Sequence, residues 1–414
     1  MPETWELRTQ FATSLSRMYG CEVPAYATLV AVTEEVNRDC VAATPDAAQR
    51  LGSIARVTAE RHGAIRVGTP AELRDTALLF TAFGMYPVGF YDLRTAATPI
   101  PVVSTAFRPI SADELARNPF RVFTSMLTTA DRRFFTPDLR ARVEAFLAQR
   151  NLYAPELLAL ARTAIRDGGL DEPHASRLVA LATAAFALSD TPIERSWYTE
   201  LERVSSVAAD IAGVTSTHIN HLTPRVLDID ELYRRMSARG ITMIDAIQGP
   251  PRWAGPDVLL RQTSFRALAE PRRFTDGMGA LRVRFGEVEA RGIALTRAGR
   301  EGYDDAMATG WPGRLPASEA AMFDAGLAYY TREPSGARKP IVYEDFLPAS
   351  AAGIFQSNLT SGGTRDDSAP GETYDLQWLS DAIDAPVADP FDLYQAQQDN
   401  SERQSHHVDT RAAR

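Results

Sequence analysis

The run Thr217-His-Ile-Asn-His-Leu-Thr-Pro-Arg-Val-Leu-Asp-Ile-Asp230 holds two of the chain's six histidines. From Thr217 to Thr223 polar and β-favouring residues alternate, which predicts a strand of period two. His221 and Thr223 then share one face with Ile219, and His218 points the other way. An imidazole presented inward just before a Pro-Arg turn can donate one ligand to iron, zinc, copper or nickel. A core histidine that only hydrogen-bonds fits the same pattern, so the reading depends on partners elsewhere in the chain.

Two other stretches offer them. His62-Gly-Ala-Ile-Arg-Val-Gly-Thr-Pro70 reads as a short strand leading into a helix. On a strand His62 and Arg66 face the same side, roughly 13 Å apart at Cα, although a surface pair at a strand edge would have the same spacing. In Arg284-Phe-Gly-Glu-Val-Glu-Ala-Arg-Gly292 the carboxylates of Glu287 and Glu289 also share one strand face. Like charges so placed repel unless a cation or an arginine sits among them. One can therefore bind metal while the other pairs with an arginine, and ion pairs with Arg282, Arg284 or Arg291 would also account for both.

Composition narrows the chemistry. The 414 residues suffice for two or three units, or for one core domain with large insertions. A net charge of -9 argues against nucleic-acid and anionic-membrane partners. Cys21 and Cys40 are the only cysteines and form no Cys-x-x-Cys pair, so neither a disulfide framework nor a thiolate zinc site is expected, and a reducing cytoplasm fits. The start Met-Pro-Glu-Thr-Trp-Glu lacks the basic-then-apolar pattern of an export signal. The longest apolar run, 178–188, is too short to cross a bilayer. Lys339 is the sole lysine among 44 basic residues, which excludes a Gly-Lys-Ser/Thr phosphate loop and leaves one candidate for Schiff-base chemistry.

The order of elements predicts an α+β fold. Helices are expected over 4–18, 26–39 and 44–61, then the strand at His62, a helix after Pro70 and a hairpin formed by Gly84-Met-Tyr-Pro-Val-Gly-Phe-Tyr-Asp-Leu93 and Pro101-Val-Val-Ser-Thr-Ala-Phe-Arg-Pro109. A helical stretch over 113–204 follows. The chain then predicts the strand at His221, a helix over 230–239, and strands near 241–248, 258–265 and 281–289. Two such β-rich modules can cup a metal between them. Farther on, Tyr343-Glu-Asp-Phe-Leu-Pro-Ala-Ser350 opens an apolar run able to line a pocket through backbone groups and one hydroxyl. From residue 360 the composition turns polar, and the last fifteen or so residues, with His406 and His407, are expected to be disordered and outside any site.

Taken jointly, Arg61-His-Gly-Ala-Ile-Arg-Val-Gly-Thr69, Ser104-Thr-Ala-Phe-Arg-Pro109, Asn220-His-Leu-Thr-Pro-Arg225, Phe285-Gly-Glu-Val-Glu-Ala-Arg-Gly292 and Tyr343-Glu-Asp-Phe-Leu-Pro348, with the run at Gly84, resemble the 2-oxoadipate dioxygenase/decarboxylase family. The resemblance implies a vicinal-oxygen-chelate core like that of hydroxymandelate synthase, decorated with helices and binding Fe(II). It divides the chain into a helical region 1–60, a first core module 61–112, a helical insertion 113–204, a second module 205–300, a pocket-lining segment 301–360 and a polar region 361–414. By resemblance His62 and His221 are metal ligands and the third is Glu289, by ungapped spacing from His221, with Glu287 the alternative. Arg66 matches a substrate-binding arginine, and Ala349 and Ser350 match further substrate contacts. The implied substrates are a 2-oxo dicarboxylic acid and dioxygen. The implied reaction takes 2-oxoadipate to 2-hydroxyglutarate and carbon dioxide, a step of lysine breakdown. Zinc- or nickel-dependent isomerases and lyases of small 2-oxo acids share the scaffold, and a non-catalytic acid-binding protein with structural histidines is the remaining reading.

Overall fold

The computed structural model describes every residue except 97, 334, 359–363, 413 and 414, and leaves out the side chains of 355, 356 and 405–412. Its organising strand is β1 (Arg61–Val67), buried at all but its first residue. It lies between β4 (Arg121–Leu127), to which it is parallel, and β5 (His221–Pro224), to which it is antiparallel. With β2 (Tyr86–Asp92) and β3 (Val102–Arg108) these form a sheet of order β2-β3-β4-β1-β5. β2 and β3 pair as the expected hairpin, with a register shift between Val88 and Tyr91 where Gly89 takes φ 76°.

The helix after β1, Pro70–Ala82, begins where the sequence predicts, with proline in its first turn and the Thr69 hydroxyl accepting from the Glu72 N–H. The stretch 113–204 is not wholly helical, because it contains β4. That strand, Arg-Val-Phe-Thr-Ser-Met-Leu, is buried on both faces, so it lacks alternation and is not separable from a buried helix by period. With it the first module becomes β-α-β-β-β. The rest of the insertion is helical, with Pro137–Leu147, Pro155–Asp167, Glu172–Ala185 and Arg195–Val204 in succession.

The second module starts with β5 and the helix Ile229–Ala238. The expected strand at 241–248 makes only isolated bridges, Met243 to Phe265 and Gln248 to Gln262. β6 (Leu260–Phe265) follows, then a hairpin of β7 (Glu270–Phe274) and β8 (Gly277–Leu281), and then β9 (Gly286–Arg291). The predicted strand 281–289 is thus divided between β8 and β9. β6 and β9 pair antiparallel, Gln262 opposite Glu289 and Ser264 opposite Glu287. A Cβ on Gly286 would lie 1.9 Å from the Phe265 ring, so only glycine permits this register.

β9 meets the five-stranded sheet through a parallel bridge between Arg225 and Glu289, where Val226 N–H donates to the Glu289 carbonyl at 2.8 Å. β1, β5 and β9 are therefore neighbours across the seam of an open, half-barrel arrangement. The N-terminal helix Thr4–Glu22 fastens it, since the Tyr19 hydroxyl donates to the carbonyls of Asn220 (3.0 Å) and Phe285 (2.7 Å). The polar C-terminal region carries two helices. Helices Leu376–Ile383 and Pro390–Ala412 bury Leu379, Ile383 and Tyr394, and the second runs through most of the stretch expected to be disordered.

The seam encloses charge. Glu60, fully buried, accepts from Arg121 at 2.6 Å and from Arg225 at 2.8 Å. Glu60→Ala would leave two buried guanidiniums short of a counter-charge, and the expected loss is about 3 to 5 kcal/mol, read as a lower urea midpoint.

Candidate metal centre

His62 leaves β1, His221 leaves β5 and Glu287 leaves β9, and all three are buried. One ligand atom from each lies within 4.8 Å of the other two. Glu287 Oε1 is 3.4 Å from His62 Nε2, and Oε2 is 3.6 Å from His221 Nε2. The imidazoles meet edge to face, with centroids 5.3 Å apart. Phe285 stacks on His221 and Phe346 stands edge-on to His62, both at 5.0 Å. His221 Nδ1 lies 3.0 Å from the Thr223 hydroxyl on the same strand face, which leaves Nε2 to the cluster.

Glu289 does something else. Arg291 donates to both of its oxygens, at 2.7 and 2.8 Å, and Arg121 lies 3.7 Å away. Its Oε2 is 2.9 Å from His62 Nδ1, off the line of a well-formed hydrogen bond. The two carboxylates do share a face, as period two predicts, but they straddle the His62 ring: Glu287 at Nε2, Glu289 at Nδ1. Glu287 is the carboxylate the structure brings to both histidines, whereas ungapped spacing favours Glu289. A carboxylate behind a ligand imidazole fixes its orientation and raises its basicity.

Electrostatics separates the pair further. Burial raises Glu287 above the ordinary carboxylate range, outweighing the contacts with His62. Burial opposes the charge of Glu289 too, yet Arg291 and His62 hold it down at about 2. Burial would lower His62, but Glu289 and then Glu287 outweigh it and hold the imidazole above its usual value. His221 is pushed well below its usual value, by burial first and then by the positive charge of His62 and Arg66. A divalent cation in the middle would relieve these opposed demands, letting Glu287 ionise and both imidazoles stay neutral.

The remaining predicted residues lie around this cluster. Arg66 is buried and its guanidinium is engaged with Asp210, which also accepts from Asn220 Nδ2 at 3.0 Å. Ser350 reaches the cluster indirectly: its hydroxyl donates to Gln262 Oε1 at 2.6 Å, and the Gln262 amide donates to Glu287 Oε1. Ala349 is exposed in the first turn of helix Pro348–Asn358, beside Ser350. Gln262, Phe346 and the pair Arg121 and Glu60 were not singled out by sequence reasoning. Gln262 stands opposite Glu289 on β6, which pairing along the Phe-Gly-Glu-Val-Glu strand could have indicated once the register was known. The expected strand over 217–223 begins only at His221, so His218 lies ahead of β5, with Nε2 3.1 Å from Asn220 Nδ2 and 3.5 Å from Asp210 Oδ1.

The fold is mixed α+β, and it brings together two histidines and a carboxylate, on three adjacent strands, that could hold a metal ion. A family model described as 2-oxoadipate dioxygenase/decarboxylase matches residues 11–358, and the chain belongs to that family. It is 63% identical over 405 residues to the protein of that name from Mycobacterium tuberculosis (95% of this chain, 97% of that one) and 39% identical over 443 residues to the one from Escherichia coli (96% and 97%). Among solved structures, the hydroxyglutarate synthase of Pseudomonas putida in complex with 2-oxoadipate matches with a TM-score of 0.85 at 36% identity, covering 98% of each chain. A Shigella flexneri protein matches with a TM-score of 0.84 at 35% identity, covering 97% of this chain and 99% of that one.

His218 generates a prediction about pH. Burial first, against the pull of Asp210, lowers its pKa to about 4, so the folded chain keeps it neutral where the unfolded chain, near 6.5, takes up a proton. Its contribution is fully present above pH 6.5 and is lost as the pH falls toward 4, by at most roughly 3 kcal/mol at 1.4 per pH unit. Urea midpoints should fall more steeply between pH 7.5 and pH 5 for the wild type than for His218→Gln. Equal slopes would place the acid sensitivity elsewhere.

Proposed function

We propose that this chain is a cytoplasmic, Fe(II)-dependent dioxygenase that converts 2-oxoadipate and O2 to 2-hydroxyglutarate and CO2, as part of lysine breakdown. The observation that carries the reading is the cluster of His62, His221 and Glu287 in a chain of this family. Two neutral imidazoles and one carboxylate leave open positions on a ferrous ion, which is the donor set of nonhaem oxygenases. Iron so held would supply dioxygen activation beside a chelated 2-oxo acid. The atoms balance with the substrate as its own reductant: C1 leaves as CO2, and the carbon next to the new carboxylate gains the hydroxyl.

The chain's own residues would position the reaction. Gln262 accepts from Ser350 through its carbonyl, so its amide protons face Glu287 Oε1, and that leaves Oε2, on the His221 side, as the oxygen for the metal. Glu289 would hold His62 in register through Nδ1, and Phe285 and Phe346 wall the imidazoles off from water. Arg66, on the strand face of His62, would take the far carboxylate of the acid by sharing its guanidinium between Asp210 and the substrate. Ser350, with the backbone at Ala349, would border the other end of the acid.

The test of the reaction is an oxygen electrode with mass spectrometry of the product from 2-oxoadipate. One O2 should disappear for each CO2 released, with no added 2-oxoglutarate. Product formed under strict anoxia would replace this reading with the isomerase or lyase one.

For the ligands, His62→Ala, His221→Ala and Glu287→Ala should each abolish iron binding, whereas His174→Ala should not. Glu289→Gln should keep iron but bind it about 10- to 100-fold more weakly, as removal of an outer-shell carboxylate does. Iron lost completely from Glu289→Gln and retained by Glu287→Ala would reverse the two roles.

For the substrate, a buried bidentate arginine contact contributes roughly 2 to 4 kcal/mol. Arg66→Ala should therefore lower kcat/KM for 2-oxoadipate by about 30- to 1000-fold with iron occupancy unchanged. It should lower that for 2-oxohexanoate much less. An intact preference for the dicarboxylate in Arg66→Ala would mean that another group holds the far end.

A further inference from the structure

Buried arginines are numerous in this fold, and among the described residues all but one have a carboxylate within ion-pair distance. The exception is Arg272 on β7. It is 7% exposed, its Nη1 donates to the Ser189 carbonyl at 3.3 Å, and its buried Nε has no hydrogen-bond partner. The acids nearest in its field are Asp210 and Glu270. Both are already engaged, Asp210 with Arg66 and Asn220, and Glu270 with Arg284 at 2.6 to 3.0 Å.

Arg272 lines a pocket of about 120 Å³ with His218, Ser216, Thr275 and Trp197. The pocket's own carboxylate, Glu194, caps the helix Arg195–Val204, accepting from the backbone N–H groups of Ser196 and Trp197 and from the Ser196 hydroxyl. The lining thus offers a guanidinium without a counter-ion together with hydroxyls, which is the complement of a carboxylate. The volume exceeds that of a single water several-fold, at about 10 to 15 Å³ per probe-sized water.

We propose that this pocket is a carboxylate-binding subsite that takes one end of a small organic acid against Arg272. Its lining includes His218 and none of His62, His221 and Glu287, and Asp210 links His218 to Arg66. An acid held there would sit on the same chain of charges as the guanidinium assigned to the substrate's far carboxylate. The inference needs no metal and no turnover, so it can fail while the oxygenase reading stands, and the reverse.

The probe is glutarate, a dicarboxylate without the keto group needed to chelate, titrated by calorimetry into the metal-free full chain. The wild type should bind it, Arg272→Met should weaken binding at least tenfold, and Arg272→Lys should fall between the two. Should Arg272→Met not fold, Ser216→Phe, which fills the pocket from its half-exposed rim, should abolish binding. No uptake of millimolar glutarate by the wild type overturns the subsite. So does undiminished binding by Arg272→Met or, if that variant does not fold, by Ser216→Phe. Binding lost only in Arg66→Met also overturns it.

Discussion

The bidentate contact between Arg291 and Glu289, closed from the other side by His62, is the interaction on which the site depends. Two carboxylates two residues apart on a buried strand cannot both be left bare. Arg291, itself anchored to the carbonyls of Tyr343 and Asp345 at 2.8 and 3.0 Å, holds Glu289 ionised. That fixes which carboxylate is structural and which is open to a cation. With Glu289 held by Arg291, the His62 ring has Nδ1 beside it and turns Nε2 toward Glu287.

The same demand explains the arginine-rich interior. Glu60, Glu289 and Glu344 are each buried, and each is met by arginine: Arg121 serves Glu60 and Glu344, Arg225 serves Glu60, and Arg56 serves Glu344. Arg121 reaches Glu60 and Glu344 through the same Nη2, and the chain's single lysine is not among these partners. Charge is conserved locally, and the core keeps many polar groups without leaving most of them unpaired. Burying ions gives little net stability but does penalise every alternative register of β1, β4, β5 and β9.

How much of this was legible follows from the kind of signal each part leaves. His221 lies in an alternating run and His62 in a short run flanked by glycines, and period two gives each side chain a face; the family motifs then tie them together. Glu287 and Glu289 were not separable, because period two gives them the same face, and the choice is made by Arg291 and by the orientation of the His62 ring. β4 was hidden because a strand covered on both sides carries no alternation. The C-terminal helices were hidden by a polar composition in which Leu379, Ile383 and Tyr394 are the few residues that dock. Strand parity puts Arg66 on the face of His62, but its partner Asp210, 144 residues away, leaves no local trace.

The docked C-terminus closes the argument about how the site is walled. Tyr394, from the helix Pro390–Ala412, accepts the Glu344 N–H at 2.7 Å and donates to Asp345, which in turn takes both prongs of Arg108 at 2.7 and 3.1 Å. Those contacts pin the segment Tyr343-Glu-Asp-Phe346 from behind. Phe346, at its end, is therefore pressed edge-on against His62 and packs on Phe123 at 5.0 Å. The wall of the metal cluster is thus built from the first module, the segment before helix Pro348–Asn358 and the final helix together. A helix within a region that composition marks only as polar is thus the outer brace of His62.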